Sequence, residues 1–184
     1  MNMIKTIFRV LVQLAAFAHI DGIWIALLWT ASFAAVISSP ESIWGALLAL
    51  ATPLVAGQRL KSFRNHVWSG AMPFSLAYVY LCYIFVYASI LFAAVQLVYF
   101  RYLDHGAFMA TLASAIDTVS QAYQQQGLSA KELYAAMSTM RQTPDTELVL
   151  SFFVQNLIVC GIVAMPTALL LCRGRKPTTQ NNDQ

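Results

Sequence analysis

Long apolar stretches alternate with basic clusters along this chain, and the clusters fall at alternate ends of the stretches. A helical crossing of a bilayer needs about 20 mostly apolar residues. Four stretches qualify, at about 12–37, 40–57, 73–102 and 146–172. They lack the period-two alternation of a membrane β-barrel strand, so the expected fold is all-α and integral to the membrane. Composition agrees. Only 10% of the 184 residues are charged, where a soluble domain carries about a quarter. A single membrane domain over 1–184 follows from the length.

Charge orients these helices. Lys5 and Arg9 precede the first stretch. Arg59, Lys61 and Arg64 separate the second from the third, and Arg173, Arg175 and Lys176 follow the fourth. The turn at 38–42 has no basic residue. The long segment between the third and fourth helices sets Arg101, Lys131 and Arg141 against Asp104, Asp117, Glu132, Asp145 and Glu147. By the positive-inside rule both termini are cytoplasmic, with a cytoplasmic tail at 173–184. In a bacterial cell this places the chain in the inner membrane. The same distribution argues against nucleic acid as a partner, because the cations serve topology and lipid headgroups. Lys5, Arg9 and the run to Ala16-Phe17-Ala18 resemble a signal peptide, but Gln13 interrupts the run and an uncleaved lead-in is expected. Cys82, Cys160 and Cys172 form no C-x-x-C and read as buried thiols.

Punctuation refines the helices. Ser39 and Pro40 suit the cap and first position of helix two. Gly45, Ala49, Pro53 and Gly57 form a small-residue stripe along it that favours close helix approach, and Pro53 is expected to kink it. Helix three would be about 45 Å long at the helical rise and must tilt or project. Tyr80, Tyr83 and Tyr87 share a face there, packed between helices or lining a polar cavity. Tyr99-Phe100-Arg101-Tyr102 reads as an aromatic belt at the outer interface.

The segment between helices three and four reads as an extracytoplasmic helical hairpin, 105–142. Phe108, Leu112, Ile116, Val119 and Tyr123 share one helical face. Gln124-Gln125-Gln126-Gly127 ends that helix. Ser129 with Glu132 makes a capping box, Leu128 with Leu133 a hydrophobic staple. Leu133, Met137 and Met140 give the second helix its apolar face. These faces can pack together, on lipid, or on a partner, and Phe108, Leu112, Ile116, Leu133, Met137 and Met140 are the candidate partner surface. Thr143-Pro144 opens the last helix, and Pro166 is expected to bend it.

Ionisable residues at membrane depth are costly and therefore candidates for function. Asp21 lies near the inner face, where Arg59, Lys61 and Arg64 also emerge. A structural ion pair with one of them is expected, and a proton or cation site is the competing reading. Gln96, Gln155 and Asn156 share a depth near the outer face, where their amides can bond across a helix interface. No catalytic motif, cofactor fingerprint or metal-spaced His or Cys cluster is present in the sequence, so no catalytic, cofactor-binding or metal residue is assigned.

Tyr99-Phe100-Arg101-Tyr102-Leu103-Asp104, Phe108, Gly127-Leu128-Ser129, Met137, Met140, Asn156 and Gly161 together resemble the family of domain of unknown function 4199. The likeness covers roughly 68–176, with the first two helices consistent in pattern only. Many members carry Pro where this chain has His105, and Pro166 is unusual in their last helix. The resemblance implies a small four-helix inner-membrane protein, mostly of Bacteroidetes-type bacteria, and it carries no activity. Tetraspanins share the plan superficially, but their external cysteines are missing here. The expected role is a non-enzymatic scaffold or accessory subunit of a cell-envelope complex, with a membrane-protein partner or a second copy of itself. The alternatives are a small oligomeric transporter or channel using Asp21 and the Tyr face of helix three, and an enzyme on lipid-linked substrates.

Overall fold

A computed structural model describes residues 2–40, 42–68, 72–125 and 131–172. Every element is a helix: α1 (Asn2–Ser38), α2 (Trp44–Leu50), α3 (Thr52–Val67), α4 (Phe74–Tyr102), α5 (Ala107–Gln125), α6 (Lys131–Gln142) and α7 (Asp145–Leu171). Three of them are long and apolar enough to cross a membrane, over Val12–Ser38, Phe74–Tyr102 and Asp145–Leu171. Their outward surfaces fit that reading. Leu170 is 83% exposed, Ile162 67% and Leu27 57%, and a water-facing surface rarely gathers such side chains into large patches. This is the pattern of a multi-pass membrane protein.

The second apolar stretch differs in detail from expectation. Ser39 does not cap it. The Ser39 amide still donates to Ala35 of α1, and the Ser42 amide closes a turn back onto the Ser39 carbonyl at 2.9 Å. Pro40 therefore sits in the turn, and α2 begins only at Trp44. Ala51 then separates α2 from α3. Pro53 has no amide hydrogen and its ring crowds the carbonyl four residues back, that of Ala49. The Ala51 amide meanwhile reaches both Leu47 and Leu48 carbonyls, at 3.0 and 3.2 Å. By contrast, α7 runs through Pro166 without interruption.

The small-residue stripe also differs. Gly45 and Gly57 are buried, but Ala49 is exposed. The break at Ala51 divides the row between two helices, so it is not one face. Within α3 the buried residues include Thr52, Ala56, Gly57, Leu60 and Phe63.

The chain divides into two compact units. The first comprises Met1–Ile25, Thr52–Ala88 and Ile158–Gln184. Its core holds Leu14, Leu60, Tyr80, Leu81 and Ile84, each at most 1% exposed. The Phe63 ring stacks on Tyr80, with centroids 4.1 Å apart. Gly22 brings α1 onto the α4 backbone: a Cβ there would lie 2.9 Å from Tyr87 Cβ and 3.0 Å from the Ile84 carbonyl oxygen.

The second unit comprises Ala26–Ala51 and Ser89–Leu157. A ring cluster forms its centre. Phe33 meets Phe92, Tyr99, Phe100 and Phe108, and Phe100, Phe108 and Phe152 meet one another. Ser32 Oγ donates to the Gly45 carbonyl at 2.7 Å, joining α1 to α2. Between α4 and α5 the chain turns through His105, with φ of 38°, and Gly106, with φ of 89°. Asp104 Oδ1 accepts the Phe108 amide at 2.7 Å and so caps α5. Proline, locked near φ of −65°, does not fit the His105 conformation.

Candidate functional site

Within the first unit, α1, α3 and α4 bring three polar side chains together. Asp21 Oδ2 accepts a hydrogen bond from the Tyr80 hydroxyl at 2.5 Å. Its other oxygen, Oδ1, lies 3.7 Å from Arg59 Nη1. The Arg59 guanidinium also lies over the Trp24 ring, 4.8 Å from its centroid. Trp24 and Asp21 are three residues apart on α1, so one helix face presents both the carboxylate and the aromatic seat for its cation. Asp21 is 17% exposed and Arg59 34%. The carboxylate is thus largely withdrawn from solvent, and the cation reaches it from the rim. Both carboxylate oxygens are engaged, a satisfied arrangement for a charge that would otherwise be costly to bury.

Arg64, grouped with Arg59 in the sequence, does something else. It is 4% exposed, and its Nη1 donates to the Leu171 carbonyl at 2.5 Å. Nε and Nη2 both donate to Asn65 Oδ1 at 3.2 Å. Leu171 is the last residue of α7, whose terminal carbonyls lack helical partners. A cation there is favoured by the helix dipole as well. Arg64 therefore closes the end of α7 and is not the partner of Asp21. Sequence spacing could not separate the two arginines, because both lie on the same short basic run. Of the tyrosine row, Tyr80 alone reaches Asp21, while Tyr87 packs edge-on against His19 at 6.1 Å.

The three amides are not joined. Gln96 is 4% exposed and its Oε1 accepts no hydrogen bond. Gln155 is exposed and Asn156 half-buried, and neither donates to Gln96 among the described residues. Ser89, seven residues before Gln96 on α4, also has a buried oxygen without a partner. Shared depth in the sequence did not translate into a hydrogen bond.

A family model described as protein of unknown function (DUF4199) matches residues 4–173. The chain belongs to that family. The match takes in α1 to α3, which resembled the family in pattern only. No curated protein and no solved structure matches the chain. Among the described residues of this DUF4199 chain, no three His, Cys, Asp or Glu side chains are grouped to hold a metal ion.

The candidate partner surface of this DUF4199 chain lies on α5 and α6. Phe108, Leu112, Ile116, Leu133, Met137 and Met140 are all half-buried, and Phe108 belongs to the ring cluster of the second unit. The apolar faces are thus partly spent on packing. Tyr134, which the sequence did not single out, connects the two helices. Its hydroxyl bonds Asp117 Oδ1 at 3.0 Å and Ser120 Oγ at 3.1 Å. Val119, Tyr123 and Tyr134 are the large apolar or aromatic residues left exposed there. Several sequence features lie outside the described residues. They are the stop at Gln126-Gly127, the staple residue Leu128, the cap Ser129, the cations Arg173, Arg175 and Lys176, and the side chains of Lys5, Arg9, Gln124 and Gln125.

Proposed function

We propose that this chain is a four-crossing protein of the bacterial inner membrane, with both termini cytoplasmic, acting as a non-enzymatic scaffold or accessory subunit of an envelope complex. The observation that carries the reading is the state of Asp21. Its two oxygens are taken by Tyr80 and Arg59, the arrangement of a structural lock that ties α1 to α3 and α4. A transport site would need the carboxylate to exchange these partners for a cation, so the transporter reading has less support.

The fourth crossing in this proposal is α2 and α3 together, broken at Ala51 by Pro53. Along that pair Leu47, Leu50 and Leu54 are exposed large apolar side chains, which supports counting it with the three long helices. The helices α5 and α6 would form the extracytoplasmic hairpin. Their exposed Val119, Tyr123 and Tyr134 are the residues through which a membrane-protein partner would be met.

Gentle solubilisation followed by mass spectrometry of co-purifying proteins tests the role. A stable heteromeric partner is expected. A pure homo-oligomer whose reconstituted cation flux disappears in Asp21→Asn would replace the scaffold with the transporter. Topology is tested separately: a thiol reagent that cannot cross membranes should label a cysteine placed at Ser129 and spare one placed at Ser62.

A further inference from the structure

One groove of the second unit has the shape and surroundings of a ligand site that the Asp21 lock does not use. It runs between the C-terminal parts of α1 and α4, and encloses about 450 Å³. That is within the range of small-molecule pockets, about 300–1,000 Å³. Thr30, Ala34 and Ser38 form one wall, and Ala94, Val98 and Tyr99 the other. The Thr30 hydroxyl is turned away to the Ala26 carbonyl at 2.8 Å, which leaves the lower part of the groove apolar. Ala34 and Ala94, one from each helix, are the smallest side chains along it.

We infer that this groove seats an acyl chain of a phospholipid, with Arg101 meeting the lipid phosphate. Three observations favour that occupant. The first is length. From Thr30 to Ser38 the wall rises about 12 Å at 1.5 Å per residue, close to the roughly 15 Å that one leaflet contributes to the hydrocarbon core. The second is position. Both walls belong to membrane-crossing helices and end where those helices end, at Ser38 and Tyr102, so the groove opens at headgroup level. The third is charge. Arg101 follows Ala94 at a spacing of seven, which puts it two turns above the Ala94 edge of the α4 wall, at the rim and not in the lining of the groove. It is exposed and has no acidic partner within salt-bridge distance among the described residues. The nearest acid in sequence, Asp104, is committed to capping α5. A guanidinium at this height is suited to a phosphate oxygen pair. The leaflet is the extracytoplasmic one if the topology proposed above holds, but the groove and its cation are independent of that.

The full-length chain, purified in a mild detergent, is titrated with long-chain phosphatidylglycerol or with the diacylglycerol of the same chains, and bound lipid is counted by native mass spectrometry. One phosphatidylglycerol per chain is the expected result. Ala94→Trp and Ala34→Trp, which fill the groove from opposite walls, should each weaken retention roughly tenfold or more. Leu170→Trp, on exposed apolar surface in the other unit, should leave it unchanged. Arg101→Gln should remove the preference for phosphatidylglycerol over diacylglycerol. That loss is roughly tenfold if one charge-assisted hydrogen bond is lost. The inference is overturned if both tryptophan variants retain lipid as the parent does, or if Arg101→Gln keeps the preference. It is equally overturned if the tryptophan variants convert a dimer to a monomer without changing lipid retention, because the groove would then receive a second copy of the chain.

Discussion

Replacing Tyr80 by Phe removes one oxygen and leaves the ring that stacks on Phe63 in place. The variant therefore isolates the bond to Asp21. A hydrogen bond to a charged group contributes about 1.5–3 kcal/mol. Tyr80 is fully buried and Asp21 is 17% exposed, so about 2 kcal/mol is expected. Arg59→Met makes the instructive contrast. At 3.7 Å an effective dielectric of about 20 would give an attraction of about 4–5 kcal/mol. Arg59 is a third exposed, however, and makes only one long contact, so water competes and the net loss should be about 1 kcal/mol. The hydrogen bond, not the ion pair, is thus expected to dominate. Unfolding equilibria in mixed micelles, followed by tryptophan fluorescence, measure both. On an Asp21→Ala background Tyr80→Phe should cost under about 0.5 kcal/mol, because the coupling has gone. The reasoning fails if Arg59→Met costs more than Tyr80→Phe, or if Tyr80→Phe costs the same with and without Asp21.

Charge reversal separates the two arginines: Asp21→Arg should lower folded yield, Arg59→Asp should restore it, and Arg64→Asp should not, since Arg64 holds the Leu171 carbonyl. Yields of the three double and single variants in membranes decide this. Gly22→Leu should cost at least the roughly 1–3 kcal/mol of an overpacked core, because its neighbours include the α4 backbone. Gly57→Ala should cost under about 1 kcal/mol by the same unfolding assay, as its near neighbour is the flexible tip of Leu171. Ser89→Ala combined with Gln96→Leu should raise stability by about 1 kcal/mol or more, because each removes a buried oxygen that lacks a partner. A loss of stability would mean those oxygens have partners in the folded protein.

Much of the local structure was legible in the chain itself. Pro144 lies just before α7, and Pro53 lies two residues after the break at Ala51, because proline acts on its own backbone and needs no tertiary context. The half-buried faces of α5 and α6 follow the same helical spacing that Phe108, Leu112 and Ile116 show in sequence. Less was legible wherever a residue had a choice of partners. Ser39 had the chemistry of a cap and remained bonded to α1 instead. Gln96 and Asn156 were expected to share a depth, and Gln96 Oε1 accepts no hydrogen bond from Asn156. Ala49 belonged to a row regular in sequence, but the break at Ala51 divided that row between two helices and left Ala49 exposed.

Apolar length and charge placement are properties of the chain alone, since a bilayer selects on hydrophobic thickness and loop charge without reference to which helix packs on which. They determined the all-helical class, the candidate spans and the neighbourhood in which Asp21 would seek a cation. Partner choice depends on rotation about each helix axis and on the distance between axes, which only packing sets. Tertiary structure therefore decided that Arg59 rather than Arg64 meets Asp21, that Tyr80 supplies the second bond, and that Arg64 closes α7. It also decided that Ala34 and Ala94, far apart in sequence, line one open groove.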